Sequence, residues 1–242
     1  MFDKWMKYSY AAQKHQRYRL LKVFLCFLVL YVAYNVLTAF FCSIWVLDND
    51  TMQPGLAAGD RLVFVSFALP ALAAEFRSAD QSLPFKRGNI VLVDTAPKER
   101  RKWPQWFMDG FARFFTAQRV SVFGREEHIY LKRVIGFPGD EITMTNFVLR
   151  VKPSGSSYSL TEFELSEKPY YPAIPHVPAL WDESIPFSGN MDRIILGADE
   201  CFVVSDDRSN TNDSRTWGPV PADSIIAKAV FRFWPVTKMG RP

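Results

Sequence analysis

The sequence is poor in the residues from which most metal centres and histidine-based catalytic sites are built. Its 242 residues include three cysteines and three histidines. Cys26 and Cys42 lie in one apolar run, too far apart along a helix to form a disulfide. The histidines are scattered, at His15, His128 and His176, and no Cys/His cluster has the spacing of a zinc site. We therefore predict a protein without metal or other cofactor, in which hydroxyls and amines are the candidate reactive groups.

Charge is absent from residues 23–46, the longest apolar run of the chain. As an α-helix rising about 1.5 Å per residue, this run would reach roughly 36 Å, more than the ~30 Å hydrocarbon core of a bilayer. It is longer than the apolar region of a cleaved signal peptide, and the sequence after it, FFCSIWVLD, is a poor cleavage site. The sequence predicts one uncleaved transmembrane anchor over 23–46.

The basic residues before this run predict its orientation. Residues 1–22 hold six lysines and arginines and one acid, whereas the first charges after the run are Asp48 and Asp50. Since basic segments stay on the cytoplasmic side, we expect a single-pass protein of the cytoplasmic membrane with the rest of the chain outside the cytoplasm. Its partner is then the lipid bilayer, and the basic N-terminus requires no nucleic acid.

The chain beyond the anchor is predicted to be mainly β. Its apolar segments are rich in β-branched and aromatic residues and are bounded by Gly, Pro, Asp or Asn: 61–69, 89–94, 128–137, 193–206 and 224–234. We expect 47–140 and 198–242 to form the main β domain. Residues 141–197 have little regular periodicity and are interpreted as an inserted subdomain of hairpins and loops.

Residues 98–120 break the β pattern. Aromatic residues recur there at roughly helical spacing behind a basic cluster, KERRK. Two structures fit this pattern. One is a helix lying in the membrane interface, and the other is a core helix of the soluble domain.

Thr51 and Lys132 are the candidate reactive pair. A threonine hydroxyl is a poor nucleophile unless a base takes its proton, and a lysine becomes a base when burial lowers its pKa. In YLKRVIGFPGD, Lys132 shares an otherwise apolar strand face with Tyr130. Taken alone, each residue also has an ordinary interpretation: Thr51 as a turn hydroxyl before Pro54, and Lys132 as a strand lysine that reaches solvent.

The combination of motifs is more specific. After the apolar run come, in order, TMQPGLAAGD, RGNIVLVD, YLKRVIGFPGD and SDDRSNTNDSRTWGPVPADSIIAKAVFRFWP. In order and content these blocks resemble the type I signal peptidase family, membrane-anchored Ser/Lys endopeptidases that remove signal peptides from exported proteins. The resemblance implies a signal-peptidase-like, β-rich catalytic domain, precursors bearing signal peptides as substrates, and no cofactor.

The resemblance also implies roles for single residues. Thr51 matches the nucleophilic serine, Lys132 the general base, and Thr211 a serine whose hydroxyl orients that lysine. Asn49 stands where some members have a hydroxyl that binds the oxyanion, and its amide N–H can donate instead. The residues implied to support the site are Arg133, Asp206, Asp213, Ser214 and Arg215. Those implied to line the substrate pocket are Met52 and Leu56.

Several positions depart from the family pattern. Threonine replaces serine at 51 and 211, Gly55 replaces threonine, and the usual Gly-Asp-Asn reads Ser205-Asp206-Asp207. The β-methyl of Thr51 restricts its rotamers and adds bulk where the scissile carbonyl must approach. A carboxylate at Asp207 near the lysine would raise its pKa.

Three functions remain open from the sequence. One is a signal peptidase that works with Thr51, and a second is a catalytically impaired paralogue that binds signal peptides or assists assembly without cleavage. The third is a cytoplasmic Ser/Lys self-cleaving repressor with a related β-rich domain. The anchor and the lack of DNA-binding helices count against the repressor.

Overall fold

A long helix precedes the β domain. The computed structural model describes residues 10–67, 83–95, 108, 110–112, 114–116, 128–176 and 189–242. Helix α1 spans Tyr10–Phe40. Its stretch Lys14–Leu37 is long and apolar enough to cross a membrane.

The end of α1 differs from the predicted end of the anchor. The helix ends at Phe40, and Cys42–Val46 forms strand β1. A short apolar run fits a buried strand as well as a helix, so hydrophobicity alone does not separate the two. The junction is tied to the sheet, because the Ser66 N–H donates to the Phe41 carbonyl at 3.0 Å. The anchor therefore leads directly into the first strand.

A seven-stranded antiparallel sheet forms the main part of the β domain. Its strands are β1, β2 (Arg61–Ser66), β3 (Ile90–Asp94), β4 (Ile129–Gly136), β9 (Glu200–Val204), β10 (Val220–Pro221) and β11 (Ile225–Trp234). They are arranged in the order β1-β2-β11-β3-β4-β9-β10. Together with the second sheet described next, they confirm the prediction of a mainly β protein with one N-terminal apolar helix.

Residues 141–195 contribute a second sheet. Its strands are β5 (Glu141–Thr145), β6 (Val148–Lys152), β7 (Leu160–Thr161) and β8 (Met191–Ile195), in the order β7-β6-β5-β8. Two short helices lie in the β domain, α2 (Glu162–Leu165) and α3 (Ser214–Trp217), with 3-10 turns at Ala222–Ser224 and Val236–Lys238. The segment interpreted as hairpins and loops thus includes a four-stranded sheet.

Strand β4 separates two apolar clusters. Val134 packs with Val91 and Val203 on one face of the sheet. The next residue, Ile135, packs with Ile142 of the second sheet on the other face. The same alternation directs Lys132 and Arg133, both buried, to opposite faces of β4.

The described part of the aromatic segment contacts α1. Residues 108, 110–112, 114 and 115 are helical, and the Phe114 ring lies 5.5 Å from the Tyr31 ring and 5.0 Å from the Tyr34 ring. Phe111 and Phe115 expose half or more of their surface. The rest of the predicted 98–120 helix, residues 98–107, 109, 113 and 117–120, lies outside the described residues.

Candidate active site

Lys132 is buried in the centre of β4, opposite Val91 on β3. Its side chain is 1 % exposed, and its Nζ lies 5.9 Å from the Tyr130 ring centre and 5.6 Å from that of Trp217. Burial lowers the pKa of the amine to about 8, while the charge of Asp213 raises it and that of Arg215 lowers it. At pH 7 roughly a tenth of Lys132 is then the neutral amine, the form that accepts a proton.

The hydrogen-bond partner of Lys132 is Ser205. The Lys132 Nζ donates to the Ser205 Oγ at 2.7 Å, and the Ser205 side chain is fully buried. The Ser205 N–H donates to the Asp213 Oδ2 at 2.8 Å, which fixes the backbone that carries this hydroxyl. Sequence reasoning treated Ser205 only as a departure from the family pattern. The sequence feature that could have indicated Ser205 is its position directly after an apolar strand, at the start of the motif SDDRSNTNDSR.

Thr211 was expected at this place. In the described part of the chain the structure has no hydrogen bond between Lys132 and Thr211. The Thr211 carbonyl accepts from the Asp213 N–H at 2.8 Å and from the Thr216 hydroxyl at 2.5 Å. Thr211 thus contributes its backbone to the turn before α3.

Thr51 stands on a half-buried turn held at both sides. Met52, the next residue, is fully buried, and the Thr51 carbonyl accepts from the Asp207 N–H at 3.0 Å. The second contact joins the turn to the segment that begins with Ser205, so the turn and Lys132 are held by the same stretch of chain. The Thr51 hydroxyl does not donate to Lys132. It donates to the Asn49 Oδ1 at 2.8 Å.

Asn49 therefore presents its side-chain oxygen to Thr51. The Thr51 N–H also points to this oxygen, at a long 3.5 Å. Asn49 was expected to donate its amide N–H to an oxyanion. In this arrangement its oxygen accepts from both groups of Thr51, so an oxyanion can reach the Thr51 N–H only by displacing that oxygen.

Arg133 and Asp206 form a buried ion pair on the opposite face of β4. The Arg133 Nε donates to the Asp206 Oδ1 at 2.7 Å and its Nη2 to the Asp206 Oδ2 at 2.5 Å. The guanidinium lies over the Tyr170 ring, 4.0 Å from its centre. This two-point contact fixes the residue that follows Ser205 to the strand that carries Lys132.

Asp213, Ser214 and Arg215 hold the turn after β9. The Asp213 Oδ1 accepts from the Arg215 N–H at 3.0 Å, and the Arg215 Nε and Nη2 donate to the Asp213 carboxylate at 2.9 and 2.8 Å. Burial opposes the charge of Asp213, but its interactions with Arg215 and the Ser205 N–H together keep its pKa below the ordinary value. The Ser214 Oγ accepts from the Val203 N–H at 3.1 Å. The structure thus brings the implied supporting residues together around Ser205.

The Asp207 carboxylate folds back onto its own turn. Its carboxylate accepts from the Ser209 N–H at 3.0 Å and from the Ser209 hydroxyl at 2.5 Å, and these bonds lie at the exposed surface. The acid whose charge raises the pKa of Lys132 is Asp213. Sequence position does not show that the Asp207 side chain folds back onto its own turn, a common asparagine and aspartate geometry.

Met52 and Leu56, the predicted pocket residues, belong to the core beneath the turn. Both pack in one cluster with Leu47 and are 0 and 2 % exposed. Leu56 also lines a groove of about 880 Å³ that passes between the turn and Tyr170. Among the residues that the structure describes, no group of three or more His, Cys, Asp or Glu side chains is placed to hold a metal ion.

Comparison with known proteins gives a consistent result. Residues 19–234 match the model of the family described as signal peptidase, peptidase S26. Signal peptidase I of Leptolyngbya laminosa is 36 % identical over 194 residues, which cover 80 % of this chain and 70 % of that protein. The probable signal peptidase I-1 of Synechocystis sp. is 29 % identical over 196 residues, 81 % of this chain and 72 % of that protein. Signal peptidase IB of Staphylococcus aureus is 30 % identical over 109 residues, 45 % of this chain and 55 % of that protein.

Proposed function

Because the chain belongs to the signal peptidase family, peptidase S26, and removes signal peptides from precursor proteins, we propose that Thr51 is its nucleophile and Lys132 its general base. The observation that carries the proposal is the burial of the Lys132 amine, with a pKa lowered to about 8, together with the segment 205–207, which bonds both to that amine and to the turn of Thr51. A lysine kept partly neutral near physiological pH is poorly suited to bind an anion and well suited to accept a proton.

The proposed reaction is an acyl transfer. The Thr51 hydroxyl turns from Asn49 towards Lys132, gives its proton to the Nζ lone pair, and attacks the scissile carbonyl carbon. The C–N bond breaks as the amine of the mature protein takes that proton from the Lys132 ammonium, which leaves an ester on Thr51. A water molecule, deprotonated by the again neutral Lys132, then hydrolyses the ester and frees the signal peptide.

Movement of the Thr51 hydroxyl towards Lys132 also prepares the site for the negative charge on the oxygen of the tetrahedral intermediate. Once the hydroxyl has left the Asn49 oxygen, a rotation of the Asn49 amide takes that oxygen away from the Thr51 N–H, 3.5 Å from it, and this N–H becomes a donor for the oxyanion. Asn49 then offers its amide N–H as the second donor. Two donors aimed at the developing charge are the usual arrangement for stabilising a tetrahedral intermediate.

An edge of β4 is suited to hold the substrate. Strand β9 pairs with β4 from Arg133 to Gly136, whereas Ile129–Lys132 pairs with β3 on its other side. In the part of the chain that the structure describes, no strand pairs with the edge of Ile129–Lys132 that faces away from β3. An extended peptide can add there as a strand and place its scissile bond near Thr51. Signal peptides present small residues at the first and third positions before the cut, which suits the groove that Leu56 lines.

The protein is membrane-anchored, and the proposed topology places its site at the bilayer surface. With the basic N-terminus in the cytoplasm, α1 ends at Phe40 and the first strand of the catalytic domain begins two residues later, at Cys42, on the extracytoplasmic side. The aromatic segment supports this placement, because Phe111 and Phe115 are exposed beside a helix that spans lipid. We propose that the described residues of this segment, 108, 110–112 and 114–116, lie in the membrane interface, in contact with lipid.

Cleavage measured as a function of pH tests the proposed roles. The full-length protein in detergent is incubated with a precursor that carries an Ala-x-Ala site, and the new N-terminus is sequenced. We expect a cut directly after the second alanine. Since only neutral Lys132 accepts a proton, the rate should fall roughly tenfold per pH unit below about pH 8 and level off above it.

The control is the same precursor with phenylalanine in place of the second alanine, which should resist cleavage. A rate that does not change between pH 6 and 9 would rule out Lys132 as the base. A folded protein that binds the precursor without cutting it at any pH would point to the catalytically impaired paralogue.

A further inference from the structure

Ser205 is placed to control the position of the Lys132 amine. Its Oγ accepts from the Nζ at 2.7 Å, and both side chains are buried, at 0 and 1 % exposure. A lysine has four rotatable side-chain bonds, and the flanking rings of Tyr130 and Trp217 restrict the amine without directing its hydrogens. Ser205 is its hydrogen-bond partner within the described part of the chain.

The direction of this bond has a chemical consequence. An amine that donates one N–H to a fixed oxygen keeps its lone pair at a set angle to that bond, and a general base works only if the lone pair points at the proton it takes. The Ser205 oxygen is itself fixed, because its backbone N–H donates to the Asp213 Oδ2 at 2.8 Å and Asp213 is held by Arg215. The position of the amine thus depends on the turn after β9.

The chain also holds this hydroxyl at an unexpected place. The residues that resemble the family pattern imply an orienting hydroxyl at Thr211, and they imply glycine where Ser205 stands. Here the hydroxyl of residue 205 occupies the contact with Lys132, while the Thr211 backbone closes a turn through two bonds to its carbonyl. Ser205 has a hydroxyl that accepts a hydrogen bond from the Lys132 amine, whereas a glycine has no side chain that could do so.

We propose that Ser205, rather than Thr211, is the positioning residue for the Lys132 amine in this peptidase. The proposal rests on the proposed function, since it assigns a role in the same proton transfer. The residue directly after β9 then fixes the direction in which the Lys132 lone pair points.

Two effects of Ser205→Ala follow from this role. Loss of the contact lets the amine swing away from the Thr51 hydroxyl, which should lower kcat about tenfold to a hundredfold with little change in KM. A hydrogen bond to the charged form of a base favours that form, so its removal should lower the pKa of Lys132. The acid limb of the pH profile should then move to lower pH while the plateau falls, a combination that general loss of structure does not produce.

The experiment compares five full-length proteins: the parent, Ser205→Ala, Ser205→Thr, Thr211→Ala and Val203→Ala. Val203 is a fully buried residue of β9 and serves as the control for packing loss on the same strand. We expect the acid limb of the pH profile to move in Ser205→Ala and to stay in place in Thr211→Ala and Val203→Ala. Ser205→Thr restores a hydroxyl and should bring the limb back towards that of the parent. An active parent whose limb and plateau are unchanged in Ser205→Ala, or a limb that moves in Thr211→Ala instead, would overturn the proposal.

A second measurement does not depend on cleavage. The Cε carbon of Lys132 is titrated by NMR in protein labelled with 13C-lysine, with its signal assigned by its absence in Lys132→Met. We expect a lower pKa in Ser205→Ala than in the parent, whether or not either protein cuts the precursor. If the parent is inactive but the pKa of Lys132 is lower in Ser205→Ala, the proposed function is refuted and the contact between Ser205 and Lys132 is supported. If Lys132 titrates identically in the two proteins, the role of Ser205 is refuted.

Discussion

Lys132→Met is expected to abolish precursor cleavage while leaving the protein folded and more stable than the parent. Methionine fills nearly the same volume beneath the rings of Tyr130 and Trp217, but its thioether does not accept a proton at neutral pH. Removing a general base that also activates the deacylating water should lower the cleavage rate by about a thousandfold or more. The measurement is the initial rate of precursor cleavage at pH 8.

The gain in stability depends on pH. In the unfolded chain the lysine stays protonated up to its ordinary pKa of 10.5, whereas in the folded protein burial lowers the pKa to about 8. Protonated Lys132 therefore lowers the free energy of unfolding fully below pH 8, and this penalty disappears as the pH rises towards 10.5. Lys132→Met should raise the free energy of unfolding by about 1 kcal/mol or more at pH 7, with little gain at pH 10.

Lys152→Met is the matched control, because Lys152 on β6 is substantially exposed, with 41 % of its side chain accessible. It should change neither the cleavage rate nor the pH dependence of thermal unfolding. A Lys132→Met protein that cleaves at the rate of the parent would contradict the assignment of the base. A variant less stable at pH 7 than at pH 10, relative to the parent, would contradict the account of its burial.

Arg208→Ala is expected to destabilise the whole domain. Arg208 and Glu162 are fully buried and are joined by a 2.5 Å bond from the Arg208 Nη2 to the Glu162 Oε2. Arg208 follows β9, and the Glu162 Oε1 accepts from the Leu149 N–H at 3.1 Å, so the pair ties the turn of the active site to the second sheet. Removing the guanidinium leaves a buried carboxylate without its counter-charge, which should cost about 3 to 5 kcal/mol of unfolding free energy.

Urea unfolding in detergent measures this cost, with Lys86→Ala as the control. Lys86 forms an exposed ion pair with Glu167 at 3.0 Å, and such pairs contribute at most about 1 kcal/mol. The double variant Arg208→Met with Glu162→Leu should recover much of the loss, because no buried charge is left alone. An Arg208→Ala protein within about 1 kcal/mol of the parent would show that the pair does not hold the two sheets together.

The sequence predicted the parts of the fold that hydrophobic pattern determines. The uncharged run after the basic segment indicated α1, and the β-branched segments indicated a mainly β domain. Pattern did not locate the end of the helix, because Cys42–Val46 is as apolar as the helix before it. The irregular sequence of 141–197 indicated hairpins and loops but not the bounds or the pairing of β5 to β8, whose strands are 2 to 5 residues long.

At the active site, the sequence did not predict the directions in which the side chains point. The alternation of a strand placed Lys132 on an apolar face, and the structure buries it there. The Ser205 hydroxyl, the fold-back of Asp207 and the bond from Thr51 to Asn49 depend on local turns and on rotamers, which residue types and spacing do not specify. The resemblance could not indicate Ser205, because its pattern has glycine there.

The methyl group of Thr51 is the feature on which the proposed activity depends most directly. It restricts the rotation that must carry the hydroxyl from Asn49 to Lys132, and it stands beside the approaching carbonyl. The half-buried turn leaves this side chain at the surface of the site, not packed in the core, where Met52 lies. This exposure leaves room for the hydroxyl to rotate.

The most direct test of Thr51 as nucleophile is the initial rate of precursor cleavage by the parent, Thr51→Ser and Thr51→Ala, each purified at full length and shown to be folded. We predict that the parent and Thr51→Ser cut after the Ala-x-Ala site, with Thr51→Ser at least as fast, and that Thr51→Ala is inactive. Cleavage by Thr51→Ala at the rate of the parent would contradict the account.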